Sequence, residues 1–182
     1  MNRKGTVLIK TDRLKLRKIL PHDFFSVSKW YTNPEIARFS KSKKPPTRWQ
    51  VFVFTVGRLR KYIKSDYYYW AIVLKGKMVG FIELMPMNTK NGKRIYALSY
   101  KLDMSLKNQG IMTEAVRAVI DYAKTQSIYG IIAICDADNI GSKRVMEKAG
   151  MVSFGNPETD APLVYDDGTT GKRLQYRIKL SE

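Results

Sequence analysis

The spacing of apolar residues along the first third of the chain predicts one strand followed by two helices. Residues 7–19 alternate between apolar and polar positions, which is the period of a strand. Residues 20–39 carry apolar side chains at helical spacing, and the Asn-Pro step at 33–34 predicts a break in that helix. After a basic, proline-marked loop at 41–47, Thr47 is placed to cap a second helix. The apolar stripe of that helix consists of Trp49, Phe52, Val53, Val56, Leu59 and Ile63.

The remaining two thirds of the chain mix strands and helices. Strand-like alternation or short apolar runs occupy 67–76, 77–88, 94–103, 129–138 and 171–180. Helical spacing occupies 111–126 and 141–150, and Gly150 stands where a glycine commonly ends a helix. The segment TKNGKR at 89–94 predicts a turn between two of the strands.

These elements predict the order β-α-α-β-β-β-α-β-α-β-β and a single α/β domain over residues 1–182. Helices packed on a mixed sheet are the expected layering for that order. A length of 182 residues with 44% hydrophobic side chains suits one domain with its own core. We find no internal repeat and no Gly/Ser-rich linker that would divide the sequence.

The sequence predicts neither a membrane span nor a disulfide-bonded protein. Apolar runs such as 130–135 are far too short to cross a bilayer, and charges are scattered through residues 1–18. The single cysteine, Cys135, lies inside an apolar run and is expected to be a buried filler. One cysteine and one histidine, His22, cannot build a metal-ligand cluster or a Ser-His-Asp grouping. We therefore expect a cytoplasmic protein that holds no metal.

The formal net charge of +17 is the unusual feature of the composition. Such a charge favours polyanionic partners: nucleic acid, an acidic protein surface or a phosphate-rich cofactor. The basic residues are dispersed, however, with dense clusters at 41–44 (KSKK) and 58–61 (RLRK). A soluble surface biased to one sign is the simpler interpretation, so charge by itself names no partner.

Residues 106–115 (LKNQGIMTEA) join a predicted strand to a predicted helix and form a candidate anion site. The start of a helix leaves amides unpaired and carries about half a positive charge, so it attracts phosphates. Gly110 would let the backbone approach a ligand closely, and Lys107 adds a full charge. Strand–loop–helix units with a glycine are common, so an ordinary helix start remains open at this point.

A second motif, CDADNIGSKRVMEKAGM at 135–151, follows one helix and one strand later. Together with SYKLDMSLKNQGIMTEAVRAVIDYA at 99–123, it resembles the paired motifs of the GNAT N-acetyltransferase superfamily. The opening TDRLKLRKILPHDF at 11–24 is similar to the start of the ribosomal-protein N-terminal acetyltransferases, the RimJ/RimL-type branch. The resemblance spans nearly the whole chain. It implies a single GNAT-like α+β domain, with a central mixed, mostly antiparallel β-sheet flanked by helices, and acetyl-CoA as cosubstrate without a metal.

The resemblance also implies a set of cofactor-binding residues. Lys107 to Met112 match the family's pyrophosphate loop, whose backbone amides bind the ligand, although Lys107, Asn108 and Met112 depart from its consensus. The preceding strand is similar to the edge that pairs with the pantetheine arm, and Asn139 matches an asparagine that binds that arm. The implied cofactor-binding residues are Leu102, Met104, Lys107, Asn108, Gln109, Gly110, Ile111, Met112, Thr113, Asn139 and Ser142.

Two residues are candidates for catalysis. Ser142 matches a hydroxyl near the thioester sulfur and is the first candidate for general acid or thiolate partner, although it could also cap a helix with Asn139. The carboxylate that many family members carry before the loop falls here on Tyr96 and is missing. Glu83 stands in an apolar strand, where a carboxylate is costly unless it is used or paired. An ion-paired structural glutamate is the alternative for Glu83, and stabilisation of a helix N-terminus is the expected role of Glu114.

The acceptor is the part of the reaction that the sequence defines least. Residues 39–49 and the YYYW run at 67–70 are expected to border its groove, although the aromatic run would also suit a core. The leading hypothesis is direct acetyl transfer to a protein N-terminal α-amine, such as that of a ribosomal protein, with the basic surface contacting the ribosome. A small-molecule amine or antibiotic acceptor, and a non-catalytic ribosome- or nucleic-acid-binding module, are the alternatives. The chain is expected to be a monomer or a homodimer.

Overall fold

The structure is a computed structural model that describes residues 5–62, 66–87, 92–156 and 158–181. Its strands are β1 (Ile9–Lys10), β2 (Leu14–Arg17), β3 (Tyr68–Leu74), β4 (Lys77–Met87), β5 (Ile95–Leu102), β6 (Gly130–Asp136), β7 (Val152–Phe154), β8 (Leu163–Val164), β9 (Thr170–Gly171) and β10 (Arg173–Lys179). Its helices are α1 (Asp23–Trp30), α2 (Pro34–Ala37), α3 (Arg48–Lys61), α4 (Ile111–Lys124) and α5 (Ile140–Lys148), with a 3₁₀ turn at Met104–Leu106. Over these described ranges, eight strands form one sheet in the order β1-β2-β3-β4-β5-β6-β10-β7, and β8 pairs with β9.

Side-chain caps explain where α2 and α3 begin. The Asn33 side chain accepts a hydrogen bond from the Glu35 amide at 2.9 Å, and Pro34 opens α2, which confirms the predicted helix break. Thr47 caps α3, as predicted. Its hydroxyl accepts from the Gln50 amide at 3.2 Å, and the Gln50 side chain accepts from the Thr47 amide at 2.8 Å.

The predicted glycine at the end of α5 is also confirmed. Gly150 has a φ of +84°, the left-handed conformation that favours glycine. Its amide donates to the Glu147 carbonyl at 3.0 Å, and the Met151 amide donates to the Met146 carbonyl at 3.0 Å. This pair of hydrogen bonds satisfies carbonyls at the helix end and turns the chain into β7.

The prediction of one continuous strand over 7–19 is wrong. The Thr11 amide donates to the Leu14 carbonyl at 3.0 Å, and this tight turn folds β1 back against β2. The predicted order ends in two strands after the last helix, whereas the described chain has four there: β7, β8, β9 and β10. Ile63 of the predicted helical stripe and residues 88–91, which include part of the predicted turn, lie outside the described residues.

A hydrophobic core lies on each face of the sheet, because successive side chains of a strand point in opposite directions. Tyr68, Trp70 and Ile72 of β3 pack with α4 and α5 on one face. Tyr69, Ala71 and Val73 of the same strand pack with α1, α2 and α3 on the other. The predicted mixed, mostly antiparallel sheet flanked by helices is thus confirmed. No helix in the described parts of the chain is both long enough and apolar enough to span a membrane.

The sheet opens between β5 and β6. These strands run parallel and pair from Ile95 with Gly130 to Leu98 with Ala133. Within the described residues their pairing stops there, while β5 continues against β4 as far as Leu102. The last residues of β6 continue against β10 in the same way. One edge of β5 therefore faces an opening, which leaves backbone groups available to a ligand.

Candidate functional site

A groove at this opening brings the two sequence motifs together. It has a volume of about 1160 Å³ and is lined by residues from β5, the loop before α4, β6, α5 and α2. Of the residues predicted to bind a cofactor, every one except Gln109 lines this groove, and so does the catalytic candidate Ser142. The catalytic candidate Glu83 is not among the lining residues.

The loop before α4 is shaped to present backbone amides to the groove. Gly110 adopts the left-handed conformation, with a φ of +75° and a ψ of 0°, at the N-cap position of α4. The first intrahelical hydrogen bond joins the Glu114 amide to the Gly110 carbonyl at 3.0 Å. The amides of residues 111–113 precede that bond, so they are free to donate to a ligand. Together with the helix dipole they form an anion site, to which the exposed Lys107 adds a positive charge.

A brace from the start of the sheet supports this loop. Arg13 Nη1 donates to the Gln109 carbonyl at 2.9 Å, and Arg13 Nε donates to Glu114 Oε2 at 2.6 Å. Thr11 Oγ1 donates to Glu114 Oε1 at 2.5 Å. Partial burial raises the pKa of Glu114, but the hydrogen bonds from Thr11 and Arg13 outweigh it and hold that pKa below its ordinary value. Sequence reasoning found Glu114 but missed its partners, because Arg13 is 101 residues away along the chain.

The predicted pantetheine-binding edge is partly strand and partly turn. Leu102 is the last residue of β5 and lines the groove. Met104 lies in the 3₁₀ turn after it, where Asp103 caps the turn by accepting from the Ser105 amide at 3.0 Å. Met104 lines the groove but is beyond the extended edge, so it can offer a side chain there and Leu102 can offer strand backbone.

Asn139 and Ser142 lie at the start of α5, where the helix-cap role considered from sequence is confirmed and both residues also line the groove. Asn139 is the N-cap, and its side chain accepts from the Ser142 amide at 3.1 Å. That bond leaves the Ser142 hydroxyl free to turn to the groove, where Ser142 Oγ lies 2.8 Å from Tyr100 Oη. Tyr100 comes from the open part of β5 and also lines the groove. From sequence, Tyr100 belongs to the strand that resembles the family's pantetheine-pairing edge, but no role for its hydroxyl is predicted.

The polar groups around Ser142 are held in defined protonation states. Burial raises the pKa of Tyr100 far above its ordinary value, so the phenol stays protonated and acts as a donor. Cys135 is buried on β6 beside Ser142, and burial raises the pKa of its thiol to about 11. A thiol with that pKa is almost entirely protonated at neutral pH and is a poor nucleophile. The predicted buried position of Cys135 is confirmed.

Glu83 belongs to a polar cluster between the sheet and α3. Arg58 Nη2 lies 3.3 Å from Glu83 Oε2, and the hydroxyl of Tyr67 donates to the same oxygen at 2.5 Å. The Arg58 guanidinium also lies over the Tyr69 ring, 4.7 Å from its centroid. These contacts match the alternative stated for Glu83 in the sequence, an ion-paired structural glutamate. They account for its burial without a catalytic role.

Phe39 and Lys41, from the segment predicted to border the acceptor, line the groove, and two lysines of the basic loop are paired. Lys41 Nζ lies 3.6 Å from Asp166, and Lys43 Nζ lies 3.5 Å from Asp167, both in the turn between β8 and β9. The YYYW run at 67–70 is predicted to border the acceptor groove, and this prediction is wrong. Tyr68, Tyr69 and Trp70 are fully buried in the two cores and are not among the groove-lining residues. The groove is also lined by Glu35, Ile36, Arg38, Phe39, Ser99, Lys101, Leu163 and Tyr165.

Residues 13–152 match the acetyltransferase (GNAT) domain family. Two curated proteins of Bacillus subtilis share parts of the sequence. The uncharacterised N-acetyltransferase YnaD is 36% identical over 61 residues, 33% of this chain and 36% of that protein. The probable N-acetyltransferase YjcK is 34% identical over 95 residues, 50% of this chain and 52% of that protein. The chain thus spans between about a third and a half of the length of these curated relatives.

Solved structures share the whole fold. An acetyltransferase of the GNAT family from Bacillus anthracis superimposes with a TM-score of 0.82 at 23% identity, covering 97% of this chain and 100% of that chain. The RimL ribosomal L7/L12 α-N-protein acetyltransferase in complex with coenzyme A gives 0.80 at 16% identity, covering 96% and 98%. The ribosomal-protein-S5-alanine acetyltransferase from Vibrio fischeri gives 0.79 at 18% identity, covering 97% and 98%.

The family match covers well over half of the chain, so this protein belongs to the GNAT acetyltransferase family. Members of that family transfer an acetyl group from acetyl-CoA, and the groove between β5 and β6 offers what that cosubstrate needs. It combines an anion-binding helix start at Gly110, an open strand edge at Leu102 and a hydroxyl at Ser142. The described residues contain no group of three or more His, Cys, Asp or Glu side chains that could hold a metal ion.

Proposed function

We propose that this protein is an acetyl-CoA-dependent N-acetyltransferase that acetylates the N-terminal α-amine of a protein, such as a ribosomal protein. The observation that carries the proposal is the groove, which continues from the anion site at the start of α4, through the opening in the sheet, to a separate end beside α2. Solved structures with the same fold include acetyltransferases of the ribosomal proteins L7/L12 and S5. The net charge of +17 suits work near ribosomal RNA.

In this proposal the residues of the chain bind and orient both substrates. The amides of residues 111–113 hold the pyrophosphate of acetyl-CoA, while the open edge of β5 pairs with the pantetheine arm. This places the thioester near Ser142. Fixing the two substrates in one groove supplies a large part of the rate enhancement, because it removes the entropy cost of their encounter.

The chemical step needs a neutral amine and a proton for the leaving thiolate. An α-amine has an ordinary pKa of about 8, so water is a sufficient base near neutral pH. The nitrogen lone pair attacks the thioester carbonyl, the tetrahedral intermediate collapses, and the carbon–sulfur bond breaks. The nitrogen loses its extra proton to water, Ser142 gives its hydroxyl proton to the thiolate and regains one from solvent, and Tyr100 stays protonated and holds Ser142 by a hydrogen bond. Transfer is direct, because the buried thiol of Cys135 is too weakly ionised to form an acetyl-enzyme.

A panel of acceptors tests the proposal. The purified protein is incubated with acetyl-CoA and either peptides with free N-termini, the same peptides with blocked N-termini, or a set of small amines and antibiotics. We expect acetylation of the free peptides and none of the blocked ones, read out by mass spectrometry. Acetylation of the small amines in place of the peptides would overturn the choice of acceptor and retain the transferase.

Calorimetry with acetyl-CoA separates a transferase from a non-catalytic RNA-binding module. We expect a micromolar or tighter Kd for acetyl-CoA, which RNA should leave unchanged. If acetyl-CoA failed to bind while RNA bound tightly, both enzyme hypotheses would fall together. Strong RNA binding with intact acetyl-CoA binding would support activity at the ribosome.

A further inference from the structure

Lys101 is a positively charged residue at the acceptor end of the groove that the reaction described above does not use. It follows Tyr100 on the open part of β5, and it pairs in register with Phe81 of β4. Because side chains alternate along a strand, Tyr100 faces Ser142 and α5 while Lys101 faces α2 on the other side of the sheet. Both side chains line the same groove through the opening.

The ammonium group of Lys101 is held by neutral groups. Its Nζ donates to Ser40 Oγ at 2.7 Å and to the Ile36 carbonyl at 3.2 Å. In the described ranges no carboxylate forms a salt bridge with the Lys101 ammonium. Glu35, which also lines the groove, forms none with it either. Burial lowers the pKa of Lys101, as expected for a cation that loses water and gains no counter-charge.

Several other cations are paired within the protein. Lys41 and Lys43 pair with Asp166 and Asp167, and the largely buried Arg58 pairs with Glu83, whereas the groove-lining Arg38 has no salt bridge among the described residues. Lys101 is thus a partly buried cation whose electrostatic cost the fold itself does not offset. An ammonium has three N–H donors. Two of them bond to Ser40 Oγ and the Ile36 carbonyl, which leaves one for a ligand in the groove.

We propose that Lys101 determines the acceptor specificity of this enzyme by binding a carboxylate that lies close to the reacting amine. The proposal rests on the function proposed above, and it names a substrate class: amines that carry a neighbouring carboxylate. The carboxylate would complete the ion pair that Lys101 lacks, and it would fix the distance between the acceptor and the open edge of β5.

The short path between the two sites limits where that carboxylate can be. The thioester is proposed to lie in the opening beside β5, and the Lys101 side chain extends from that strand toward α2. The acceptor therefore has to span about the length of one lysine side chain, which two extended residues of about 3.5 Å each can do. Two sources share this chemistry: an acidic side chain at the first or second residue of a protein, and the α-carboxylate of a free amino acid.

Lys101 could instead act purely as a structural anchor, since it joins β5 to the end of α2. The two roles make different predictions. Loss of an anchor would weaken the binding of every acceptor, whereas loss of a carboxylate-binding group would weaken the binding of acidic acceptors alone. Arginine at this position would retain the charge, so it should rescue recognition.

The test compares kcat/KM for two peptides that differ at the second residue, glutamate against glutamine, with free glutamine against glutamine amide as the amino-acid arm. The enzymes are the wild type, Lys101→Met, Lys101→Arg and Lys15→Met, the last removing an exposed charge on β2 away from the groove. We expect the wild type to prefer the glutamate peptide about tenfold, as a hydrogen bond to a charged group allows. Lys101→Met should abolish that preference while changing the glutamine peptide by less than about threefold, and the other two variants should keep it.

The outcomes separate this inference from the function on which it rests. Acetylation of both peptides by the wild type without preference, or an equal loss on both peptides in Lys101→Met, would overturn the role of Lys101 and leave the proposed function standing. A preference seen for free amino acids and not for peptides would keep the carboxylate-binding role and identify the source as small. Acetyl-CoA binding without acetylation of any of these acceptors would overturn both proposals.

Discussion

Tyr100 Oη lies 2.8 Å from Ser142 Oγ, so a side chain from the open part of β5 meets one from the first turn of α5. The phenol is held protonated by burial, and it donates to the Ser142 carbonyl at 3.2 Å besides lying within hydrogen-bond distance of the serine hydroxyl. In the proposed reaction this contact would hold the serine hydroxyl beside the groove, so we propose that Tyr100 positions Ser142.

Ser142→Ala should lower kcat by about a hundredfold, the usual contribution of a general acid, with a smaller change in the Kd for acetyl-CoA. Steady-state kinetics together with calorimetry measure the two quantities. An equal loss in both would make Ser142 a binding residue and remove its catalytic role.

Tyr100→Phe should lower kcat by about tenfold and leave the Kd for acetyl-CoA within about threefold, because the ring remains and one hydrogen bond is lost. Tyr176→Phe is the matched control, since the Tyr176 hydroxyl donates to Glu147 at 3.1 Å and does not line the groove. That control should retain wild-type kcat. A parallel fall in both variants would trace the effect to stability.

Gly110→Asp should weaken acetyl-CoA binding by at least about a hundredfold, because it places a negative charge where the pyrophosphate is expected to bind. Gly110→Ala isolates the backbone effect. Its Cβ would meet Arg13 Nη2 at an ordinary 3.5 Å, but the left-handed φ of +75° costs about 1 kcal/mol for a residue with a side chain. Calorimetry should therefore show a small loss for alanine and a large one for aspartate. Unchanged affinity in Gly110→Asp would refute the loop assignment.

The brace between Arg13 and Glu114 should make the stability of the protein depend on acidic pH. The pKa of Glu114 is lower in the folded protein than its ordinary value of 4.5, so its contribution is fully present above that pH. The contribution is lost as the pH falls through the folded pKa. Glu114→Gln should therefore have a lower Tm than the wild type near neutral pH, and the difference should shrink below pH 4.5. A difference in Tm that did not vary with pH would contradict the assignment.

Glu83→Gln should destabilise the protein by about 3 kcal/mol, because it leaves the buried Arg58 without its counter-charge. At a temperature well below the Tm, kcat should stay within about threefold of the wild type. Replacing both partners, in Arg58→Met with Glu83→Leu, should recover much of the stability. A loss of about a hundredfold in kcat with unchanged stability would instead restore Glu83 as a general base.

Local pattern was enough to predict most of the elements, because caps and apolar spacing act over a few residues. Asn33, Thr47 and Gly150 each end or begin a helix through contacts within about one turn. The resemblance of the segments around Gly110 and Ser142 to paired family motifs likewise identified residues that line one groove.

The parts that sequence reasoning missed depend on contacts between distant residues. The partner of Glu83 is Arg58, which only the packing of α3 on the sheet brings beside it. Arg13 likewise contacts Glu114 from 101 residues away. The role of Lys101 depends on where α2 ends, and the paired state of Lys41 depends on a hairpin turn more than a hundred residues away. Periodicity carries no information about such pairings, because they arise from the topology of the sheet.

The separation of β5 from β6 affects the stability of the folded protein. In the described residues the two portions of the sheet are joined by four register pairs, from Ile95 with Gly130 to Leu98 with Ala133. A cosubstrate lying along the open edge of β5 would add contacts between the two portions of the sheet. Bound acetyl-CoA would therefore stabilise the folded protein as well as react. At a hundred times its Kd, a ligand that binds the folded state alone adds about 2.7 kcal/mol to the free energy of unfolding. The amides of β5 and β6 should then exchange with solvent more slowly as the cosubstrate concentration rises.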